Sequence, residues 1–537
     1  MIARGYRTIV LLVVILVSAL PLAGVTDDAA ALLARHKAFM GWANGDRTLT
    51  SFRETIVLAD ATPAIDATPP AAASHASVEP FGSRRGRTEI VRRGLLYRES
   101  AFGYDRPLGD AGFTGRLFWR SNENGFTVTV RAHAASTELT RDVIEAEAFG
   151  DTAAALQAPV TFDGVKASVV RITPPGGVPA DLYLGDDGAL LGYALSPDDP
   201  AERELIHDVS YGEFAPNKRY VNALRYGSSA RLYRVVNFQA NAAIADADLH
   251  PPAPRATWTF GEPSTVPITI RREAEVVSGA VYVDATLNGH TGRFLIDSGS
   301  YGILLSDRFA RIASVKDVGR SSFTGLNRNV VNATEVQIAT LAIGGNTLHD
   351  VIAQRAAPQS DRDEREQSVS DGILGFDVLA TALVDVDLAK AKLTVLDPQQ
   401  NEPVTKEGAN AFPVDLSDFL PAVPIKLQNE TLSHVYLDTG NTFFVILPQA
   451  MQKRHVGTFI DRENFVGVDG VSEYPATCVR FDEIQVGPIH YKGAPSCFAP
   501  NEAFGRSSGL IGFDFLRHFN WTFDYTHSQI VLTPNGN

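Results

Sequence analysis

The C-terminal half of the chain repeats itself, and that repeat limits the fold more than any other feature. The first copy carries Phe294-Leu295-Ile296-Asp297-Ser298-Gly299 and the second Val435-Tyr436-Leu437-Asp438-Thr439-Gly440. Downstream, Asp371-Gly372-Ile373-Leu374-Gly375-Phe376-Asp377 matches Ser508-Gly509-Leu510-Ile511-Gly512-Phe513-Asp514. Asp297 stands 78 positions before Gly375 and Asp438 stands 74 before Gly512; in both copies a further Asp follows that glycine 12 positions on. Each copy closes on a β-type run that reaches a proline, Lys392 to Pro398 and Gln529 to Pro534. The spacing predicts two homologous units, 261–400 and 401–537, each with one Asp-Ser/Thr-Gly triplet placed just after an apolar strand.

A lone triplet is cheap, because its residue types are abundant. Two of them, each paired with an apolar-apolar-Gly-Phe-Asp segment at matched distance, resemble the pepsin/retropepsin class of aspartic proteases over roughly residues 265 to 535. The resemblance implies a mainly β, bilobal, pseudo-twofold pair of acid-protease-like β-barrels, and an aspartic endopeptidase with Asp297 and Asp438 as its catalytic pair. The chemistry needs both copies. Hydrolysis without a metal or covalent nucleophile takes one group to deprotonate water and another to protonate the carbonyl oxygen. Two carboxylates about 3 Å apart cannot both ionise, so the pair holds one proton and supplies both functions. Ser298 and Thr439 correspond to the family positions whose hydroxyls bond across the twofold, and Gly299 and Gly440 let backbone amides approach the carboxylates. Gly375 and Gly512 brace the two loops. Ser300 is expected to donate to Asp297 and to favour acidic operation. Asn441 and Thr442 fill the same stretch of the second copy, where the family more often has a small residue or a hydroxyl. Phe323-Thr324-Gly325 and Val468-Asp469-Gly470 lie where the substrate-covering hairpins belong, without the tyrosine typical of pepsin flaps; Phe323 and Phe465 are as readily core residues. Asp377 and Asp514 read as helix starts rather than a second carboxylate pair.

The N-terminal half, 26–260, reads as an antiparallel β domain with a helix. Leu32, Leu33, His36, Phe39 and Met40 recur at helical spacing between Ala29 and Trp42, with Asp27 and Asp28 at the expected helix start. Residues 59–80, rich in Ala, Pro, Ser and Thr, read as a disordered insertion. Asn124-Gly125 and Gly185-Asp186-Asp187-Gly188 mark hairpins between alternating apolar runs. A helix, a β-meander and a Pro-rich exit near Pro251–Pro254 are similar to the periplasmic lipoprotein-carrier half-barrel. That resemblance opens a second reading, a carrier of an apolar ligand. A catalytically silent protease-like binding protein is a third, and the N-terminal half also reads as a pro-segment cut near Ala253 to Pro267.

Arg4 and Arg7 precede an apolar run, Ile9 to Val17, and small residues around Ala23. Residues 1–25 thus read as a cleaved export signal or a membrane anchor, with a periplasmic, secreted or membrane-anchored destination. Cys478 and Cys497 are the only cysteines; in an exported chain they most simply form one disulfide, two buried thiols being the alternative. With 48 Lys plus Arg against 62 Asp plus Glu, the formal charge of -14 disfavours nucleic acid as a partner. The expected partner is a protein or peptide substrate, and two lobes in one chain make a monomer sufficient for catalysis. No HExxH or paired-His spacing calls for a metal, and no cofactor is implied. Gly505-Arg506-Ser507-Ser508-Gly509 satisfies GxSxG, a pattern that carries chemistry only on a strand-to-helix elbow.

Overall fold

A computed structural model describes residues 23–58, 86–103, 106–199, 203–227, 232–272, 279–324, 330–356, 370–403, 408–466, 473–500, 504 and 507–536. Most of residues 1–25, residues 59–80, Gly325 and Val468–Gly470 lie outside them. The chain is mainly β, with two closed barrels. In the first, Gly279–Leu287, His290–Ile296, Gly372–Leu374, Ile303–Ser306, Asn346–Ala356 and Val330–Ile343 pair in ring order, and the last returns to the first. The second has the same order: Ala422–Leu427, Glu430–Leu437, Gly509–Ile511, Val445–Pro448, Ile489–Ala499 and Glu473–Val486. Between the barrels, Leu383–Asp387 pairs antiparallel with Phe519–Asp524, flanked by Lys392–Leu396 and Gln529–Pro534. This shared sheet ties the barrels by backbone hydrogen bonds. Trp521, Phe523, Phe294 and Phe376 are among the fully buried side chains of the one core that spans both barrels. Each such side chain contributes about 1.5–3 kcal/mol by leaving water. Cys478 and Cys497 face each other across the second barrel's ladder and are bonded.

The N-terminal half forms a 13-stranded antiparallel sheet that curls into an incomplete barrel. Its strands run as an unbroken meander except where Thr127–Val130 and Ala153–Phe162, the two edges, are linked by a helix, α2 (Ala132–Glu145). Both hairpins marked by turn residues are present, Phe118–Ser121 with Thr127–Val130 and Ala180–Leu184 with Leu190–Leu195. The first helix, α1, spans Ala23–Met40, six residues earlier than the apolar spacing indicates. Asp27 and Asp28 therefore lie inside it and do not cap its start.

The barrel and the half-barrel meet at a built interface. Phe126, at the hairpin turn, and Val128, on the edge strand Thr127–Val130, are buried in the core of the C-terminal region. Arg106 is ion-paired with the buried Glu335 across the same junction. The connecting segment is structured too: Thr257–Thr259 pairs with Asn346–Ala356, and Ser264–Arg272 pairs with Lys392–Leu396.

Candidate active site

Each triplet follows a strand that is clamped by a parallel neighbour, Phe294–Ile296 against Gly372–Leu374 and Val435–Leu437 against Gly509–Ile511. Asp297 N–H then donates to Leu374 O at 3.0 Å, and Asp438 N–H to Ile511 O at 2.8 Å. The bracing glycines sit one residue on. A side chain at Gly375 would strike Ser300 O at 2.4 Å, and one at Gly512 would strike Phe443 O at 2.2 Å. This packing lets Phe376 N–H reach Ser300 O at 3.0 Å and Phe513 N–H reach Asn441 O at 2.7 Å.

The two loops interlock across the pseudo-twofold. Ser298 Oγ donates to Leu437 O at 2.7 Å and accepts from Thr439 N–H at 3.0 Å. Thr439 Oγ1 donates to Ile296 O at 2.8 Å and accepts from Ser298 N–H at 3.0 Å. Both side chains are 1 % exposed, so these four bonds form away from water. They bring Asp297 and Asp438 face to face. A Cβ on Gly299 would lie 2.4 Å from the Asp438 carboxyl, and a Cβ on Gly440 2.5 Å from that of Asp297. Only glycine permits that approach from both sides.

The electrostatics of the pair follow from this closeness. Asp297 Oδ1 accepts from Gly299 N–H at 2.8 Å, and Asp438 Oδ1 from Gly440 at 3.0 Å and Asn441 at 2.9 Å. Burial raises the Asp297 pKa against those amide bonds and a hydrogen bond from Asp438. Asp438 is held well above the ordinary carboxylate range, by burial first and then by the charge of Asp297. Two acids this close do not both ionise, so the pair holds one proton between them. Tyr525, not singled out by the sequence, is buried close enough for the Asp297 charge to add to the burial that raises its own pKa.

Ser300 departs from expectation. Its hydroxyl donates to Gly302 O at 3.1 Å, not to Asp297, because the loop turns back onto its own backbone at that point. Its single proton is used, and the expected bias toward acidic operation has no structural basis. Ser300→Ala should therefore leave kcat and its pH profile within about twofold of wild type; a shifted acidic limb would contradict this. Asn441 contributes its backbone N–H to Asp438, while its side-chain oxygen accepts from Phe443 N–H at 3.2 Å. Phe323 and Thr324 end the strand Lys316–Thr324, which pairs as a hairpin with Val330–Ile343. Ser507 leads into the strand Gly509–Ile511, with its hydroxyl on Gly509 O, so no nucleophile elbow forms. Asp377 and Asp514 open the short helices Phe376–Leu379 and Phe513–Leu516, as expected.

The back of the first loop is where sequence reasoning fell short. Asp377 Oδ1 accepts from Asn122 Nδ2 of the half-barrel at 2.7 Å. Burial, with the charge of Glu123 adding to it, pushes the Asp377 carboxyl up to about 7. Glu123 Oε2 in turn accepts from the hydroxyl of Tyr301, four residues past Asp297, at 3.4 Å. Asn124 stands in for a strand, donating to Ile352 O at 2.9 Å and accepting Ile352 N–H at 2.7 Å. The one signal in the sequence was the run Asn122-Glu123-Asn124, more polar side chains than a tight hairpin requires. Among the described residues, Asp163, His207 and Asp208 gather at the surface of the half-barrel with metal-type side chains. They are remote in the chain from both triplets, and Arg225 already donates to Asp208 at 2.8 Å.

A family profile described as aspartyl protease matches residues 283–378, the greater part of the first barrel with its triplet and bracing glycine. No curated protein matches the chain. Residues 283–378 are therefore an aspartyl-protease-like region.

Proposed function

We propose that the chain is an exported aspartic endopeptidase whose single active site is built from both barrels. The observation that carries this reading is the mutual seating of Asp297 and Asp438, each carboxyl backed by the other loop's glycine and each loop locked by the other's hydroxyl. In the reaction, Asp297 takes a proton from water as the water oxygen attacks the peptide carbonyl carbon. Asp438 delivers its proton to the carbonyl oxygen, giving a neutral tetrahedral diol. Collapse of the diol returns a proton to the leaving nitrogen and breaks the C–N bond, and the pair regains its one-proton state. The hairpin Lys316–Thr324/Val330–Ile343 supports a cleft-covering role by its position on the first barrel.

The basic and apolar N-terminal segment and the Cys478–Cys497 bond support an oxidising, extracytoplasmic location, a periplasm being the reading preferred here. The test is cleavage of a diverse peptide mixture by the purified protein between pH 3 and 8. A bell-shaped rate profile is expected. The rate falls on the acid side as Asp297 takes up a proton and on the alkaline side as Asp438 loses its own. Because burial raises both groups, both limbs should lie above those of an exposed carboxylate. No cleavage at any pH would remove the proposal.

A further inference from the structure

The curled N-terminal sheet and α2 enclose a cavity of about 250 Å³ that the proteolytic reading leaves without a role. An apolar cavity of about 150 Å³ already admits benzene, so this one has room for a small organic molecule. Its chemistry is lopsided. Six glutamates but three arginines line it. All three arginines are already ion-paired: Arg92 with Asp142 and Glu145, Arg120 with Glu138, and Arg141 with Glu138 and Glu204. Glu54 accepts no hydrogen bond among the described residues, and Glu145 reaches Arg92 only at 3.3 Å.

The rest of the wall is aromatic. Phe52, Phe238 and Tyr220 form a stacked run, with centroids 5.2 and 4.1 Å apart. Tyr193 and Trp119, 3 % and 4 % exposed, add two more aromatic rings to the lining.

We propose that this cavity is a binding site for a small organic amine carrying an apolar body. Aromatic faces and surplus carboxylates both attract a cation, and the apolar walls take its body. An anionic ligand would meet Glu54 and Glu145 and find no unpaired arginine. The state of the acids in the empty cavity agrees. Burial, with the neighbouring charge of Glu145, raises Glu54 to about 8, and burial raises Glu145 to about 7 against the pull of Arg92 and Arg141. The proposal is independent of the dyad, since none of these residues belongs to either barrel.

The test is calorimetric titration of the whole protein at pH 7.5 with octylammonium, octanol and octanoate. Octylammonium is expected to bind at least about tenfold more tightly than octanol, and octanoate more weakly than either. Glu54→Gln should weaken octylammonium about tenfold and leave octanol unchanged, with the fold checked by circular dichroism. Peptidase activity of Glu54→Gln should equal that of wild type, which separates this site from the dyad. Equal or tighter binding of octanoate or octanol, no binding of octylammonium, or an unchanged octylammonium affinity in a folded Glu54→Gln would each overturn the proposal.

Discussion

Asp297→Asn is expected to lower peptide hydrolysis by at least about a thousandfold, and Asp438→Asn by as much, although the two groups do different work. An amide at 297 cannot take the proton of the attacking water; an amide at 438 donates a hydrogen bond but yields no proton. General acid and base terms are each worth about a hundred- to ten-thousandfold, so losing either leaves little. Neither variant should unfold. Each puts a neutral amide in place of a buried acid whose ionised form burial penalises, so thermal unfolding should occur at the wild-type temperature or above it. Steady-state kinetics and a melting curve on the same preparations settle the matter. One variant keeping near-full activity would mean that the barrels do not share a site.

Thr439→Val should be the most damaging change that touches no carboxylate. Valine keeps the shape and deletes the hydroxyl, which leaves Ile296 O and Ser298 N–H buried without partners. At about 1–3 kcal/mol for each such group, stability should fall by about 2–6 kcal/mol. Activity should fall at least tenfold, because the bonds that hold the triplets in register are the ones removed. Ser298→Ala, its mirror image, should behave alike. Chemical denaturation measures the first effect and kcat the second; wild-type values for both in either variant would show that the interlock does not position the pair.

The parts of this molecule that were legible in its sequence are those written within a dozen residues. The strand-Asp-Ser/Thr-Gly and apolar-apolar-Gly segments are local patterns, and their duplication supplied the symmetry that the barrels display. Hairpins marked by Asn124-Gly125 and Gly185–Gly188 were legible because their turn residues impose backbone geometry directly. What escaped notice is non-local. Asn122 meets Asp377 across 255 positions, and no periodicity encodes that meeting. The helix α2 was missed for a different reason: Arg131, at its N-cap, makes no side-chain capping bond, and the first turn has no acid to mark a start. Its buried Asp142 is ion-paired with Arg92, although from sequence it looks like part of a solvated surface. The Ser300 expectation failed because a hydroxyl's choice between two acceptors 2 to 3 residues away depends on loop geometry alone.

The hairpin tip that plugs into the first barrel also sets an order of assembly. Phe126 and Val128 are made and delivered long before Gly279–Leu396 exist to cover them, so the half-barrel must wait with an apolar tip uncovered. During that interval the growing chain carries a sticky end of its own, the kind of surface that general chaperones hold. The loop that carries Asp297, conversely, takes its rear support from Asn122, which is made long before it. In the proposed endopeptidase, the Asp297/Asp438 site is complete only once the late strands Gly509–Ile511 and Phe519–Asp524 have been made.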